Sequence, residues 1–196
     1  ISSSGSSLML VSLNWLSTQC KFPNTEQLVN DLNRIGFEVE AIIEKGQNLS
    51  NIVIGQIIEF NKHPDADRLR IAKVDIKSDV IQIVTAAENV QLGDKIPVSL
   101  PGAQLANGLK IKKGKLRGVQ SNGMMCSAVE CGLTDTSPGV WVLPTSSIVG
   151  SDFIKEAELI DTVLDIAVLP NRGDALSLVG LAREVSALYG AFETKR

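Results

Sequence analysis

Histidine is almost absent. The chain of 196 residues has one, His63. That excludes a zinc site needing two or more histidines of this chain. It also leaves any Ser-His or Cys-His pair a single base to use. Cysteine is scarce as well: Cys20, Cys126 and Cys131 are odd in number and include no C-x-x-C pair. This argues against a disulfide framework and a zinc ribbon, and for reduced thiols in a cytoplasmic protein. There is no G-x-S-x-G elbow, no G-x-x-x-x-G-K-[ST] loop and no strand-borne G-x-G-x-x-G. Long apolar runs are missing too. Ile52–Ile54 and Ile57–Ile58 are cut short by Gly55, Gln56 and Glu59, and nothing approaches the roughly 20 residues of a membrane span. Residues 1–8, ISSSGSSL, lack the basic and apolar blocks of a signal peptide. They look like an expression scar before a start at Met9 and are left out of the fold reading. Together these absences leave no free-standing catalytic site, and the weight shifts to binding.

The charge that is present is unevenly spread. Residues 1–50 carry a net −2, residues 51–125 a net +4 and residues 126–196 a net −5, within a total of −3. A basic middle between acidic flanks suits a segment that faces a polyanion. The texture changes at the same places. In the first flank Asn24 with Gln27 forms a capping-box pattern. Leu28, Val29, Leu32 and Ile35 then follow at helical spacing, Gly36 stands where a C-cap belongs, and Phe37–Ala41 alternates as a strand. The middle reads as short strands at Ile52–Phe60, Leu69–Asp75, Val80–Ala86, Lys95–Leu100, Leu109–Lys113 and Val140–Leu143. Turns are expected between them at His63-Pro64-Asp65, Gly93-Asp94, Pro101-Gly102 and Asn107-Gly108. Such spacing predicts a small barrel or sandwich. In the last flank Leu164–Val168 alternates, Pro170–Gly173 turns, and Leu178, Leu181, Val185 and Leu188 recur at helical spacing before Gly190. Each flank offers one helix and one short strand, too little to fold alone. The expectation is a β-rich α+β chain: residues 9–45 pair with 155–196 in one small mixed α/β domain, and 46–154 are inserted between them. Two separate caps on the barrel are the alternative.

The densest chemistry lies in Leu109–Gly118. Read as a strand, Leu109 and Ile111 point inward and Lys110 and Lys112 outward; after Gly114, Lys115 and Arg117 flank an inward Leu116. Five cations, Lys110, Lys112, Lys113, Lys115 and Arg117, on a rigid support suit a phosphate backbone. The same pattern suits an edge strand guarded by lysines against aggregation, and pattern alone does not choose. Phe60 is the sole aromatic between residues 51 and 125, so stacking on splayed bases is poorly supplied. His63 reads as a turn residue beside Pro64 and Asp65. Asp65 and Asp67 lack the further ligands of a cation site, and Met124-Met125 reads as core. Arg172 and Asp174 read as fixing the turn into the last helix.

Three separated motifs carry a family resemblance. His63-Pro64-Asp65-Ala66-Asp67-Arg68-Leu69, Ile83–Val90, and Lys112-Lys113-Gly114-Lys115-Leu116-Arg117-Gly118-Val119-Gln120-Ser121-Asn122-Gly123-Met124-Met125-Cys126-Ser127 resemble, in order and spacing, the tRNA-binding OB module. That module occurs near the start of bacterial phenylalanyl-tRNA synthetase beta subunits, on methionyl-tRNA synthetases and in free-standing tRNA-binding proteins. Met9–Leu16 and Leu169–Ser177 with Gly180–Val185 resemble the flanks of the synthetase beta subunit and select it. The chain departs from the family at Thr85–Asn89, where Cys-Gly-Ala-Pro-Asn is usual, and at the neutral Gln120 and Asn122, where acids are common. It also has Leu169 where Thr is common. The resemblance implies a five-stranded Greek-key OB barrel over 46–154. It implies tRNA as partner, together with the synthetase alpha subunit and the rest of the beta chain. It adds Asn89 and Ser121 as groups able to bond phosphate or ribose. ATP and Mg would belong to the holoenzyme only, with no cofactor here and no aminoacylation by this piece alone. A protein-binding assembly module and a free-standing tRNA-binding protein are the competing readings.

Overall fold

A computed structural model describes residues 7–168 and 177–190. The chain is strand-rich α+β and divides into two compact units. One is drawn from both ends of the chain, up to Lys45 and from Asp161 onward; the other is Gly46–Ile160.

The first unit is a three-stranded antiparallel sheet with helices. Strand β1 (Ser7–Ser12) leads into α1 (Leu13–Gln19), then α2 (Thr25–Arg34) and β2 (Phe37–Lys45); β10 (Asp161–Val168) and α4 (Leu178–Tyr189) complete it. The sheet order is β1-β10-β2. Asn24 caps α2 as its pattern predicts, its Oδ1 accepting from Gln27 N–H at 2.9 Å. The box is half made, because the Gln27 amide turns forward to Asp31 at 3.1 Å instead of back to the cap. Gly36 takes φ +99° just past the helix, a conformation open to glycine at little cost. Val11, Leu16, Leu28 and Phe37 from one end pack with Leu164, Ile166, Leu181 and Val185 from the other. One reading is corrected here. Strand β1 begins at Ser7, and Ser7 and Leu8 pair with Val168 and Ala167, so the fold starts before Met9. Backbone pairing asks little of side chains, which is why a Ser/Gly-rich stretch gave no sign of it. The Pro170–Gly173 turn, with Arg172 and Asp174, lies outside the described residues.

The second unit holds a five-stranded antiparallel sheet in the order β5-β4-β3-β6-β9. Its strands are β3 (Ser50–His63), β4 (Ala66–Asp75), β5 (Val80–Thr85), β6 (Lys95–Gln104) and β9 (Met124–Met125); a separate hairpin joins β7 (Gly114–Leu116) to β8 (Val119–Ser121). Ile57, Val74, Ile83, Ile96 and Val98 fill one core cluster, and Leu49, Ile52, Leu105, Cys126 and Phe153 another. The strip from Gln120 to Met125 touches both edges of the sheet. Met125 and Met124 pair with Val98 and Ser99 of β6, while Asn122 N–H donates to Gln82 O of β5 at 2.8 Å.

Three expectations fail for one reason, that pairing partners lie far away in sequence. Pro101-Gly102 is no turn. β6 runs through it, because Gly102 N–H donates to Ile111 O and Ile111 N–H to Ala103 O, both at 2.8 Å. Leu109–Lys113 is correspondingly no full strand; its one bridge is Lys110 to Gln104. Val140–Leu143 likewise contributes one bridge, from Leu143 to Lys95. The unit ends at Ile160 rather than 154. The short helix α3 (Phe153–Glu156) and Leu159 bury their apolar side chains with Leu49, Ile52 and Trp141, and the Phe153 and Trp141 rings meet edge-on at 5.2 Å.

Candidate nucleic-acid interface

The basic residues are placed by two pieces of backbone. The first is the Leu109–Lys113 segment, launched by the Asn107-Gly108 turn. There Gly108 N–H donates to Leu105 O and Leu105 N–H to Leu109 O, both at 2.9 Å. Of its apolar residues, Ile111 is buried but Leu109 is half exposed, which corrects the inward reading of Leu109. Once the single bridge is made the chain leaves β6, so Lys112 and Lys113 continue without a ladder partner.

The second piece is the β7–β8 hairpin. Its two-residue turn puts Arg117 at φ +49° and Gly118 at φ +84°. Two positive φ values match the right-handed twist of paired strands. Glycine takes the second at no steric cost, whereas the arginine is strained. Leu116, expected inward, is 47% exposed, a second correction. Its backbone is tethered instead: His63, buried at the end of β3, reaches Leu116 O with Nε2 at 3.1 Å. Asp65 N–H donates to the same ring's Nδ1 at 3.0 Å. With Nδ1 accepting from Asp65 N–H, Nε2 is the ring nitrogen that donates to the Leu116 carbonyl. His63 therefore fixes its turn as read, and it also anchors the hairpin, a contact across 53 residues that no local pattern signals. Gln82 adds a second tie, its amide donating to Gln120 O at 2.8 Å.

Lys110, Lys112, Lys113, Lys115 and Arg117 are all exposed. No acidic residue lies between Asp94 and Glu130, and among the described residues none of the five has a carboxylate within ion-pair distance. The structure thus gathers five unneutralised cations on the adjoining segment and hairpin. Lys110, Lys112 and Lys115 rim an open groove of about 260 Å³ floored by Ile111, Leu116 and Met124. Lys113 faces a different groove, beside Asn122 and Pro101.

Asn89 and Ser121 are occupied otherwise than the resemblance implies. The Asn89 amide donates to Val140 O at 2.7 Å and accepts from Val140 N–H at 3.1 Å, holding two loops together like a piece of strand. Ser121 is buried; its hydroxyl accepts from Val84 N–H at 3.1 Å and donates to Gly123 O at 3.2 Å. Both side chains brace backbone of the second unit: the Ser121 hydroxyl spends its one donor inside the fold, while the exposed Asn89 amide keeps a second N–H.

Cys126 and Cys131 are buried free thiols. Contact with the Cys131 thiol draws Cys126 below the ordinary thiol range, while that contact and burial drive Cys131 upward, and both thiols are out of reach of solvent. Among the described residues no group of three or more His, Cys, Asp or Glu is placed to hold a metal. No helix among them is long and apolar enough to cross a membrane.

A segment that projects unpaired cations from a β-rich unit, over residues committed to holding it, is the context for comparison with known proteins. Residues 52–152, more than half of the chain, match the family described as "Putative tRNA binding domain". The chain belongs to this tRNA-binding domain family. It is also homologous to phenylalanine–tRNA ligase beta subunits. The one from Oleidesulfovibrio alaskensis is 45% identical over 92% of this chain and 23% of its own length, and that from Fusobacterium nucleatum is 44% identical with the same coverage. The chain therefore spans about a quarter of the length of these curated relatives. Among solved structures, a MetRS related protein from Pyrococcus horikoshii aligns at 18% identity with a TM-score of 0.39, over 67% of this chain and 96% of that one.

Proposed function

We propose that this chain is the tRNA-binding piece of a phenylalanine–tRNA ligase beta subunit, gripping the RNA backbone through Lys110, Lys112, Lys113, Lys115 and Arg117. The observation that carries this is the gathering of five exposed cations with no carboxylate to neutralise them, on backbone tied down by His63, Gln82 and Ser121. A guarded edge strand would need its lysines beside a row of open ladder groups. Here Lys112 and Lys113 lie past the last bridge and Arg117 at a hairpin tip, so they guard no such row. The second unit is read as an OB-type Greek-key barrel, and the strip Gln120–Met125, bonded to both β5 and β6, supports closure. Aminoacylation, with its ATP and Mg, is assigned to the alpha subunit and the rest of a longer beta chain. This chain given ATP, phenylalanine and tRNA is expected to form no Phe-tRNA.

The test is a filter-binding titration of tRNA at several salt concentrations. Changing Lys112, Lys115 and Arg117 to Gln should weaken all tRNAs about equally, because phosphate contacts carry little sequence information. The log–log salt slope should fall by about 0.7–0.9 for each phosphate no longer neutralised. The control is Ile111→Ala, which empties a buried site and should cost about 2–5 kcal/mol of stability. Unchanged affinity and slope in the folded triple variant would transfer the surface to a protein partner instead.

A further inference from the structure

The groove beneath the lysines has a feature that backbone gripping does not use. Its rim is cationic and its floor, Ile111, Leu116 and Met124, is aliphatic. Leu116 is left half exposed at the edge of that floor. At about 260 Å³ the space falls below the roughly 300–1,000 Å³ of pockets for drug-sized ligands, so it suits one small ring system. Gly114 stands in its wall, and a Cβ there would meet no atom within 4 Å. Packing does not demand a glycine at this position, so a larger side chain can be placed in the groove wall without a clash at its Cβ.

We propose that this groove seats one unstacked nucleotide of a bound RNA, its base lying on Ile111, Leu116 and Met124 and its phosphate against Lys110, Lys112 and Lys115. The inference rests on the RNA reading above and adds to it what part of the RNA is recognised. Within a duplex both faces of a base are covered by stacking, and a protein meets only phosphates, sugars and base edges. An aliphatic floor gains nothing from such a surface. A bulged or looped-out nucleotide presents a bare ring beside a phosphate, the same pairing of apolar and anionic parts that the groove presents in complement. The shortage of aromatic residues excludes a stacking platform but not this mode, because aliphatic side chains also cover a ring by dispersion contact. An apolar floor without directed donors carries little preference for which base it takes.

The test uses the whole chain and two fluorescent hairpin RNAs, identical except for one bulged nucleotide, each titrated at two salt concentrations. The wild type should bind the bulged hairpin about tenfold more tightly, the gain expected from about 55 Å² of newly buried apolar surface. Gly114→Val should erase that difference while leaving the plain hairpin's affinity and the salt slope unchanged, since it adds bulk to the groove wall and removes no cation. Leu116→Ala, which lowers the floor without adding bulk, should do the same, and circular dichroism verifies that both variants are folded. Equal binding of the two hairpins by the wild type would overturn the proposal, as would Gly114→Val weakening both in parallel. Those outcomes leave RNA binding itself intact. Failure of the wild type to bind either hairpin in a salt-dependent way would instead sink the underlying RNA reading.

Discussion

Single side chains tie the first unit together, and one pair makes its stability depend on pH. Tyr189 on α4 donates its hydroxyl to Asp31 on α2, and the Gln27 amide donates to the same carboxylate at 3.1 Å. Those two bonds, with a smaller pull from Arg34, hold Asp31 below the ordinary carboxylate range. Burial first, and the Asp31 bond second, push the Tyr189 phenol up to about 12. The signs follow by linkage. An acid whose folded pKa is lowered contributes stability above its unfolded value of about 3.9, and loses it as pH falls through the folded value. The raised phenol contributes fully below about 10, and its share is lost as pH rises through about 12. Tyr189→Phe should therefore lower the melting temperature at neutral pH and flatten both the acid fall and the alkaline fall. Calorimetric scans at pH 3, 5, 8 and 11 check this, and parallel profiles for the two proteins would refute it. Little of this was legible in the sequence. A lysine is exposed almost by its nature, so the five cations could be read from pattern alone. Asn89 and Ser121 could not, because their partners Val140 and Val84 lie 51 and 37 residues away and a short polar side chain does not announce which backbone it will bond.

Among elements, α2 and α4 were the most legible, because what defines them is local; α1 and α3, each of two turns or fewer, were missed. Asn24 caps three residues ahead and Gly36 stops one just behind, and both signals lie within one turn of the helix they bound. Strands depend on what lies beside them, so Pro101-Gly102 could look like a turn while Ile111 held it in β6. The β7–β8 hairpin shows a conflict between element and function. Arg117 occupies a left-handed position at φ +49°, where Asn or Gly is the usual choice and where most residues carry a cost of about 1–2 kcal/mol. On the proposed RNA-binding role, the charge held out at the tip accounts for a residue placed there against its own preference. Arg117→Asn should accordingly split the two properties. Hydrogen exchange of residues 114–121 should slow, with the hairpin up to about 1 kcal/mol more stable. Binding to tRNA should weaken, with a salt slope lower by up to about 0.9 for one phosphate. A variant in which stability and binding rise or fall together would show that the strain serves no such trade.

At the scale of the whole molecule, the second unit interrupts the first in sequence but not in its core. Leu28 and Phe37 find their packing partners in Leu164 and Leu181, beyond the entire second unit. Neither flank carries a core of its own, so their pairing could be foreseen from size. The position of the far boundary was less legible, because it depends on where Phe153 and Leu159 are buried, and a short helix reads the same in either unit. The junction itself makes the arrangement testable. Lys45, the last residue of β2, is paired directly with Asp161, the first of β10. Gly46, the first residue of the inserted unit, lies against Leu159 near its end, so close that a Cβ would collide with the Leu159 carbonyl oxygen. The inserted unit thus begins and ends at one place and, once folded, acts on the first unit as a short loop, with little closure entropy to bear. Joining Lys45 to Asp161 through Asn-Gly, in place of residues 46–160, should turn β2 and β10 into an ordinary hairpin, since a two-residue turn of that kind closes an antiparallel pair. The shortened chain should melt cooperatively and bind no tRNA. Residues 46–160 alone should melt cooperatively and keep both tRNA affinity and salt slope. A shortened chain without a cooperative transition would mean that the first unit needs the second to fold. Loss of tRNA binding by a folded 46–160 would place part of the RNA contact on the flanks.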